Sequence, residues 1–174
     1  MGRWLAARAA QAGFAVLLED IMPLNLHHAQ EALRSELGPS TLPNVTFTST
    51  LEDAVRQADL AIDCVPDELE SKLEIFCLLD RMAPPRTVFA TPTMKLSIAD
   101  LASCTYRPGQ CVAIRRTAAS LTALSDAASA NIPLCVTSKT TAVTIAQVTE
   151  FWTRVGFMVS VERDLLEQKL NAER

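Results

Sequence analysis

The sequence predicts an α/β domain: a doubly wound, mostly parallel sheet with helices on both faces, its first strand missing. Three observations carry this. Short apolar runs alternate with amphipathic helical stretches along the chain. The 174 residues are 49% hydrophobic, enough for one real core. The chain opens with Met1-Gly2 running into an alanine-rich helical stretch, then Gly13, an apolar run from Phe14 to Leu18, and Asp20. That order is the second half of a dinucleotide-binding βαβ unit. In the full unit a strand comes first, then a G-x-G-x-x-G turn whose amides meet a pyrophosphate at the helix N-terminus. Only the last glycine of such a turn, Gly2, is present. Asp20 falls about where the spacing rule puts the acid that holds the adenine ribose.

The first helix is expected over residues 3–12 and the first strand over residues 14–18. Pro23 suits the first turn of the next helix, which carries Leu26, Ala29, Leu33 and Leu37 at three- and four-residue steps and ends at Gly38-Pro39. Val45–Thr48 reads as a strand. Thr50, with Asp53 three residues later, starts a helix over residues 51–57. A short apolar strand over residues 60–65 is broken by Pro66-Asp67. The amphipathic helix over residues 68–82 presents Leu69, Leu73, Phe76 and Leu79 on one face, and Pro84-Pro85 stops it. Residues 87–90 and Cys111–Ile114 are further buried strands, with Ile98–Ser103 a short helix capped by Ser97. Residues 117–131 are small and polar, and no element is assigned to them. A helix over residues 141–155 and a strand over residues 158–161 complete one domain over residues 1–164. Residues 165–174 are expected to form a charged helical tail.

Charge and composition exclude some function classes. The net charge is −4 and no basic run occurs, which argues against a nucleic-acid partner, since that binding rests on clustered Lys and Arg. The apolar stretches fall far short of the roughly 20 residues a membrane helix needs, and the signal-peptide pattern is lacking, so a cytoplasmic protein is expected. The five cysteines, Cys64, Cys77, Cys104, Cys111 and Cys135, contain no C-x-x-C pair and form neither a disulfide framework nor a zinc site. Most lie in apolar runs and read as small hydrophobes. His27 and His28 are adjacent on a helix and face different ways, so no metal site is expected.

The stretch ADLAIDCVPDELESKLEIFCLLDRMAPPRTVFATPTMKLSIADLA, followed by YRPGQCVAI, resembles the nucleotide-binding domain of the 3-hydroxyacyl-CoA dehydrogenases. The resemblance runs from Met1 to about Asp164. Its specific phrases are Val65-Pro66-Asp67, Leu69, Lys72, Ile75-Phe76, Leu79-Asp80, Thr93, Leu96, Ile98 and Arg107-Pro108. It implies a Rossmann-like fold, NAD as cofactor and partner, and a place in fatty-acid metabolism. By resemblance Gly2 lies at the helix N-terminus, Asp20 at the ribose, Val65 and Asp67 along the nicotinamide side, and Lys72 one helical turn further on. The family often has a methionine just before the last glycine of its turn, so Met1 reads as an internal residue and the missing strand as lying upstream. That strand belongs at the centre of the sheet, and without it NAD binding is expected to be weak or lost.

The family oxidises the 3-hydroxyl of an acyl-CoA with a His base that a Glu orients. Here Arg115 stands at the His position, Ala118 replaces a substrate-contacting Asn, and Met94 replaces a substrate-contacting serine. Between Thr117 and Thr149 the only carboxylate is Asp126, one residue short of the position of the orienting Glu. A guanidinium stays protonated at pH 7 and cannot act as the base. No catalytic residue is therefore assigned. The family's long basic hairpin, which clasps CoA, is reduced to residues 38–44, and no counterpart of its helical, dimer-forming domain is expected within these residues. Three readings follow: an NAD-binding domain without dehydrogenase activity, an oxidoreductase in which Arg115, with Arg116, anchors a small acidic ligand, and a non-catalytic scaffold. A homo-oligomer stays open.

Overall fold

The computed structural model describes residues 1–124 and 130–164. The expected tail over residues 165–174 and Asp126 lie outside them. Seven helices and seven strands alternate along the described residues: α1 (Gly2–Gln11), β1 (Val16–Glu19), α2 (Pro23–Glu36), β2 (Val45–Thr48), α3 (Leu51–Val55), β3 (Leu60–Ile62), α4 (Leu69–Met82), β4 (Val88–Pro92), α5 (Ile98–Ser103), β5 (Cys111–Ile114), α6 (Ala118–Thr122), β6 (Asn131–Val136), α7 (Ala142–Val155) and β7 (Met158–Arg163). The doubly wound α/β fold expected from the sequence is present.

The sheet is split. β1 pairs in parallel with β2, and separately β3-β4-β5-β6-β7 form a second sheet, parallel except where β6 runs against β5. The break between β1 and β3 falls where the sequence places the missing first strand.

Burial follows the two-residue period of a sheet covered on both sides. Val88 and Ala90 of β4, Val112 and Ile114 of β5, and Ile132 and Leu134 of β6 pack into one core with Leu5 of α1 and Val148 and Trp152 of α7. The alternate residues Phe89, Cys111, Ala113 and Cys135 turn to the other face, against Val55, Phe76, Leu79, Ile98 and Leu101. A third cluster joins Ala6, Ala7 and Ala10 of α1 to Leu33 of α2 and Val45 of β2.

The sequence reading lacks α6 and β6. Pro133 interrupts the apolar pattern of β6, and a proline ordinarily argues against an internal strand. Here the Pro133 carbonyl still serves the sheet, accepting from the Arg115 amide at 2.9 Å, while the antiparallel ladder with β5 is confined to Cys135 and Leu134.

Two of the phrases that carry the resemblance meet in a buried ion pair. Arg107 Nε donates to Asp80 Oδ1 at 2.7 Å, and its Nη2 donates to the Asp80 carbonyl at 2.8 Å. The guanidinium also reaches the Pro84 carbonyl and lies over the Phe89 ring, 5.1 Å from its centroid. Asp80 accepts the Tyr106 amide at 3.0 Å. These contacts close the C-terminus of α4 against the turn before β5, so Asp80 and Arg107 hold the fold and not a ligand. Arg107→Ala leaves Asp80 a buried, uncompensated carboxylate and is expected to cost about 3–5 kcal/mol. Urea unfolding followed by far-ultraviolet circular dichroism measures it, and a loss below about 1 kcal/mol would contradict this role.

Candidate functional site

The break in the sheet opens a groove of about 1160 Å³ between β1 and β3. Its walls include Leu17, Leu18, Leu60 and Ile62, and Met1, Gly2, Arg3 and Trp4 line it at the start of α1. The first backbone bond of α1 runs from the Leu5 amide to the Met1 carbonyl at 3.0 Å. The amides ahead of Leu5 are therefore not used within the helix, and no side chain caps this end among the described residues. An uncapped helix start beside an open groove suits an anion.

Gly2 lines the groove. A Cβ there would stand 3.4 Å from Leu18 Cδ1 and 3.5 Å from Cys64 Sγ, in ordinary van der Waals contact with both. Asp20 follows β1 at the far rim, where its carboxylate accepts the Met22 amide at 2.9 Å and Asn25 Nδ2 at 3.1 Å. It thus also closes the turn into α2. Val65 lines the groove just beyond β3. Asp67 accepts the Met94 amide at 3.2 Å, tying the loop after β3 to the loop after β4. The structure gathers Gly2, Asp20 and Val65 around one groove and sets Asp67 on the adjoining loop.

Lys72 is placed differently from the expectation. Its side chain is 1% exposed and its Nζ lies 2.8 Å from Asp63 Oδ1, itself 1% exposed. It supports the loop after β3 from beneath and does not face the groove. Burial raises the Asp63 carboxyl above the ordinary carboxylate range, and the Lys72 charge opposes that rise. Asp63 Oδ2 and the Thr91 hydroxyl are buried without a hydrogen bond among the described residues. A signal for this pair exists in the sequence: Asp63 is the one charge in an apolar run, nine residues before Lys72.

The position expected to hold the base is filled by a structural knot. Arg115, at the end of β5, is 15% exposed. Its Nη1 donates to the Leu96 carbonyl at 2.6 Å and to the Thr93 carbonyl at 3.4 Å, and its Nη2 meets Cys135 Sγ at 3.3 Å. Asp164 Oδ1 lies 3.6 Å from the same Nη2, and its side chain is fully buried. The other Asp164 oxygen accepts from Ser97 Oγ at 2.9 Å and the Ala99 amide at 3.2 Å. Arg116 is spent on the Asn131 carbonyl, through Nε at 2.9 Å and Nη2 at 2.6 Å. The sequence reading gave Ser97 only as a helix cap and Cys135 only as a small hydrophobe, and no local pattern joins them to Arg115 and Asp164, so far apart in the chain.

Met94, at the expected serine position, is half-exposed, and Ala118 begins α6. His27 and His28 lie exposed on α2, with His27 Nε2 3.4 Å from Glu31. Cys111 and Cys135 are buried, whereas Cys64 and Cys77 are exposed, so the reading of the cysteines as buried hydrophobes holds only in part. No group of three His, Cys, Asp or Glu side chains among the described residues is arranged to hold a metal. No helix among them is long and apolar enough to cross a membrane.

The family model described as "3-hydroxyacyl-CoA dehydrogenase, NAD binding domain" matches residues 1–116, two thirds of the chain. The chain belongs to this family. A probable 3-hydroxybutyryl-CoA dehydrogenase of Bacillus subtilis is 31% identical over 121 residues, which cover 62% of this chain and 42% of the relative. The mitochondrial hydroxyacyl-coenzyme A dehydrogenase of Sus scrofa is 30% identical over 125 residues, 62% of this chain and 40% of that protein. The chain thus matches about two fifths of the length of these relatives. Among solved structures, a diketoreductase superposes with a TM-score of 0.77 at 26% identity, covering 98% of this chain and 65% of the other. The (S)-3-hydroxybutyryl-CoA dehydrogenase of Ralstonia eutropha shares the fold with a TM-score of 0.82 at 18% identity, over 94% of this chain and 60% of the other.

NAD is the cofactor of this domain family, and the residues present fit it at two places. The uncapped start of α1 at Gly2 offers free amides to a pyrophosphate, and Asp20 offers a carboxylate at the rim where a ribose would lie.

The Asp63–Lys72 pair supplies a test of how the site is supported. Lys72→Met is expected to cost about 3–5 kcal/mol at pH 7 by leaving Asp63 buried and unpaired. A carboxyl whose folded pKa lies above its unfolded one takes up its proton in the folded state first, so its contribution grows as pH falls and is lost as pH rises through the folded pKa. The loss in Lys72→Met should therefore shrink between pH 7 and about pH 5. Urea midpoints of both proteins at the two pH values check this, and an equal loss at both would count against it.

Proposed function

We propose that this family member binds NAD and does not catalyse 3-hydroxyacyl-CoA oxidation. The observation that carries the reading is Arg115 at the base position, with its guanidinium committed to Leu96, Thr93, Cys135 and Asp164. A general base must accept a proton near the working pH, within reach of the substrate hydroxyl. Arg115 has no lone pair to offer at any physiological pH.

The groups on the cofactor side keep simpler tasks. The α1 amides at Gly2 would hold the pyrophosphate, Asp20 would accept from the ribose hydroxyls, and Val65 and Asp67 would border the nicotinamide. When bound, NAD supplies a hydride acceptor. Neither histidine stands at the end of β5: both lie on α2, and His28 borders the groove on the Asp20 side.

The anion-anchor reading is disfavoured by the same contacts. A guanidinium that is 15% exposed, with both terminal nitrogens on protein acceptors, has little left for an acidic ligand. Arg116 is engaged in the same manner. Acyl-CoA also lacks a basic clasp, since residues 38–44 hold no Lys or Arg.

Titration with NADH, followed by its fluorescence, is expected to show binding that Asp20→Ala weakens about tenfold, the loss of one charged hydrogen bond. With NAD and 3-hydroxybutyryl-CoA, no NADH is expected to form. Turnover of that substrate would overturn the non-catalytic reading, and absence of NADH binding at millimolar concentration would favour a scaffold.

A further inference from the structure

We propose that Cys77 and Cys104 form a thiol pair open to low-molecular-weight disulfides, which close it into a bond fastening α4 to the turn after α5.

The cysteines lie at wide spacings in the sequence, yet the fold brings these two together. Cys77 is exposed on α4, and Cys104 follows directly on α5. The two segments meet at three successive points. Cys104 Sγ stands 3.9 Å from the Leu73 carbonyl, one turn before Cys77. Cys77 Sγ donates to the Cys104 carbonyl at 3.8 Å. Asp80 Oδ2, one turn past Cys77, accepts the amide of Tyr106 at 3.0 Å. Cys77 is thus bracketed on its own helix by residues that hold the Cys104 turn, and the two thiols are themselves hydrogen-bonded. Beneath them Phe76, Leu79, Ile98 and Leu101 are buried in one cluster, so neither backbone swings away from the other.

The other cysteines are placed differently. Cys111 is buried, its Sγ 3.8 Å from Thr105 Oγ1 and 3.6 Å from the Arg107 carbonyl. Cys135 meets the Arg115 guanidinium, and Cys64 meets the Ile62 carbonyl.

Exposure sets the order of the exchange. The Cys77 thiolate attacks one sulfur of the small disulfide, whose S–S bond breaks as a mixed disulfide forms and one thiolate leaves. Cys104 then attacks the Cys77 sulfur, the protein disulfide closes, and the second thiolate leaves. Each protein thiol gives up one proton, and each leaving thiolate takes one up. The cysteine pair is oxidised by two electrons and the small disulfide is reduced by two. The second step is intramolecular, between groups already in contact. Burial, with the hydrogen bond and charge of Cys77, pushes the Cys104 thiol up to about 12, so closure is slow at pH 7 and quickens as pH rises.

The test incubates the reduced full chain with excess oxidised glutathione at about pH 8.5, alkylates the remaining thiols and maps the unreduced digest by tandem mass spectrometry. Cys77 should be found joined to Cys104, with the loss of two hydrogens, and dithiothreitol should reverse it. The thermal midpoint of the oxidised chain should rise by about 5 °C, since the bond restrains the unfolded chain. Cys104→Ser should instead retain one glutathione on Cys77. In the unsubstituted chain, glutathione kept on Cys77 with Cys104 still alkylated overturns the proposal. So does a bond between Cys104 and Cys111, a dimer linked through Cys77, or no oxidation of either residue. The readout is independent of cofactor binding.

Discussion

A strand inside a parallel sheet has two edges to satisfy, and β1 and β3 satisfy one each. The rest of the molecule is arranged around that condition. The two sheets have no ladder between them, so they are joined by what packs across the break. α1 does most of this: Leu5 and Ala9 belong to the core of the larger sheet, whereas Ala6, Ala7 and Ala10 belong to the cluster over β1 and β2. A helix buried on two sides needs small residues to bring both neighbours close, which is the physical reason for its alanine-rich sequence. On the opposite face Ala54 and Val55 of α3 reach into the other core. Behind α1, Phe14 lies against Phe151 at 5.1 Å between centroids, and the Arg154 guanidinium stands 4.0 Å over the Phe14 ring. The groove is thus held open by side-chain packing while its floor and walls keep backbone groups free.

Most of this architecture was legible in the sequence because its cause is local. Period-two burial on both sheet faces turns strands into short unbroken apolar runs, and Val45–Thr48, Ile98–Ser103 and Cys111–Ile114 appear where such runs and the Ser97 cap put them. The break between β1 and β3 was legible too, since a helix followed by one strand is half of a unit. β6 was not, because Pro133 weakens the pattern and the strand is fixed by its partners: the Arg115 amide, the β5 edge and all six pairings with β7. The site divides along the same line. Gly2 and Asp20 stand at a helix start and a strand end, so spacing points to them, whereas Val65 came from the resemblance, and all three line the groove. The engagement of Lys72 and Arg115 depends on Asp63 and Asp164, and a long-range ion pair leaves no periodicity to read.

The residues that mark the family and those that would perform its reaction are physically separate. Asp80 and Arg107 lock α4 to the turn before β5, and Ser97 caps α5 while holding Asp164. None of these contacts requires a base at the end of β5. The fold therefore tolerates a change of residue there, provided the new side chain is itself accommodated.

Arg115 is more than accommodated at the end of β5. Asp164 follows β7 directly, is fully buried, and has a cation, a hydroxyl and an amide about it. Burying a carboxylate is costly unless its oxygens are paired, and here the Arg115 guanidinium, the Ser97 hydroxyl and the Ala99 amide surround it. Histidine at the same position would be largely neutral near pH 7 and shorter than arginine, so it could not serve Asp164 from the end of β5 in the same way. The group that fits a catalytic role and the group that stabilises this end of the sheet have opposite requirements, one a proton acceptor and the other a fixed cation. At residue 115 the sheet's requirement is the one that is met.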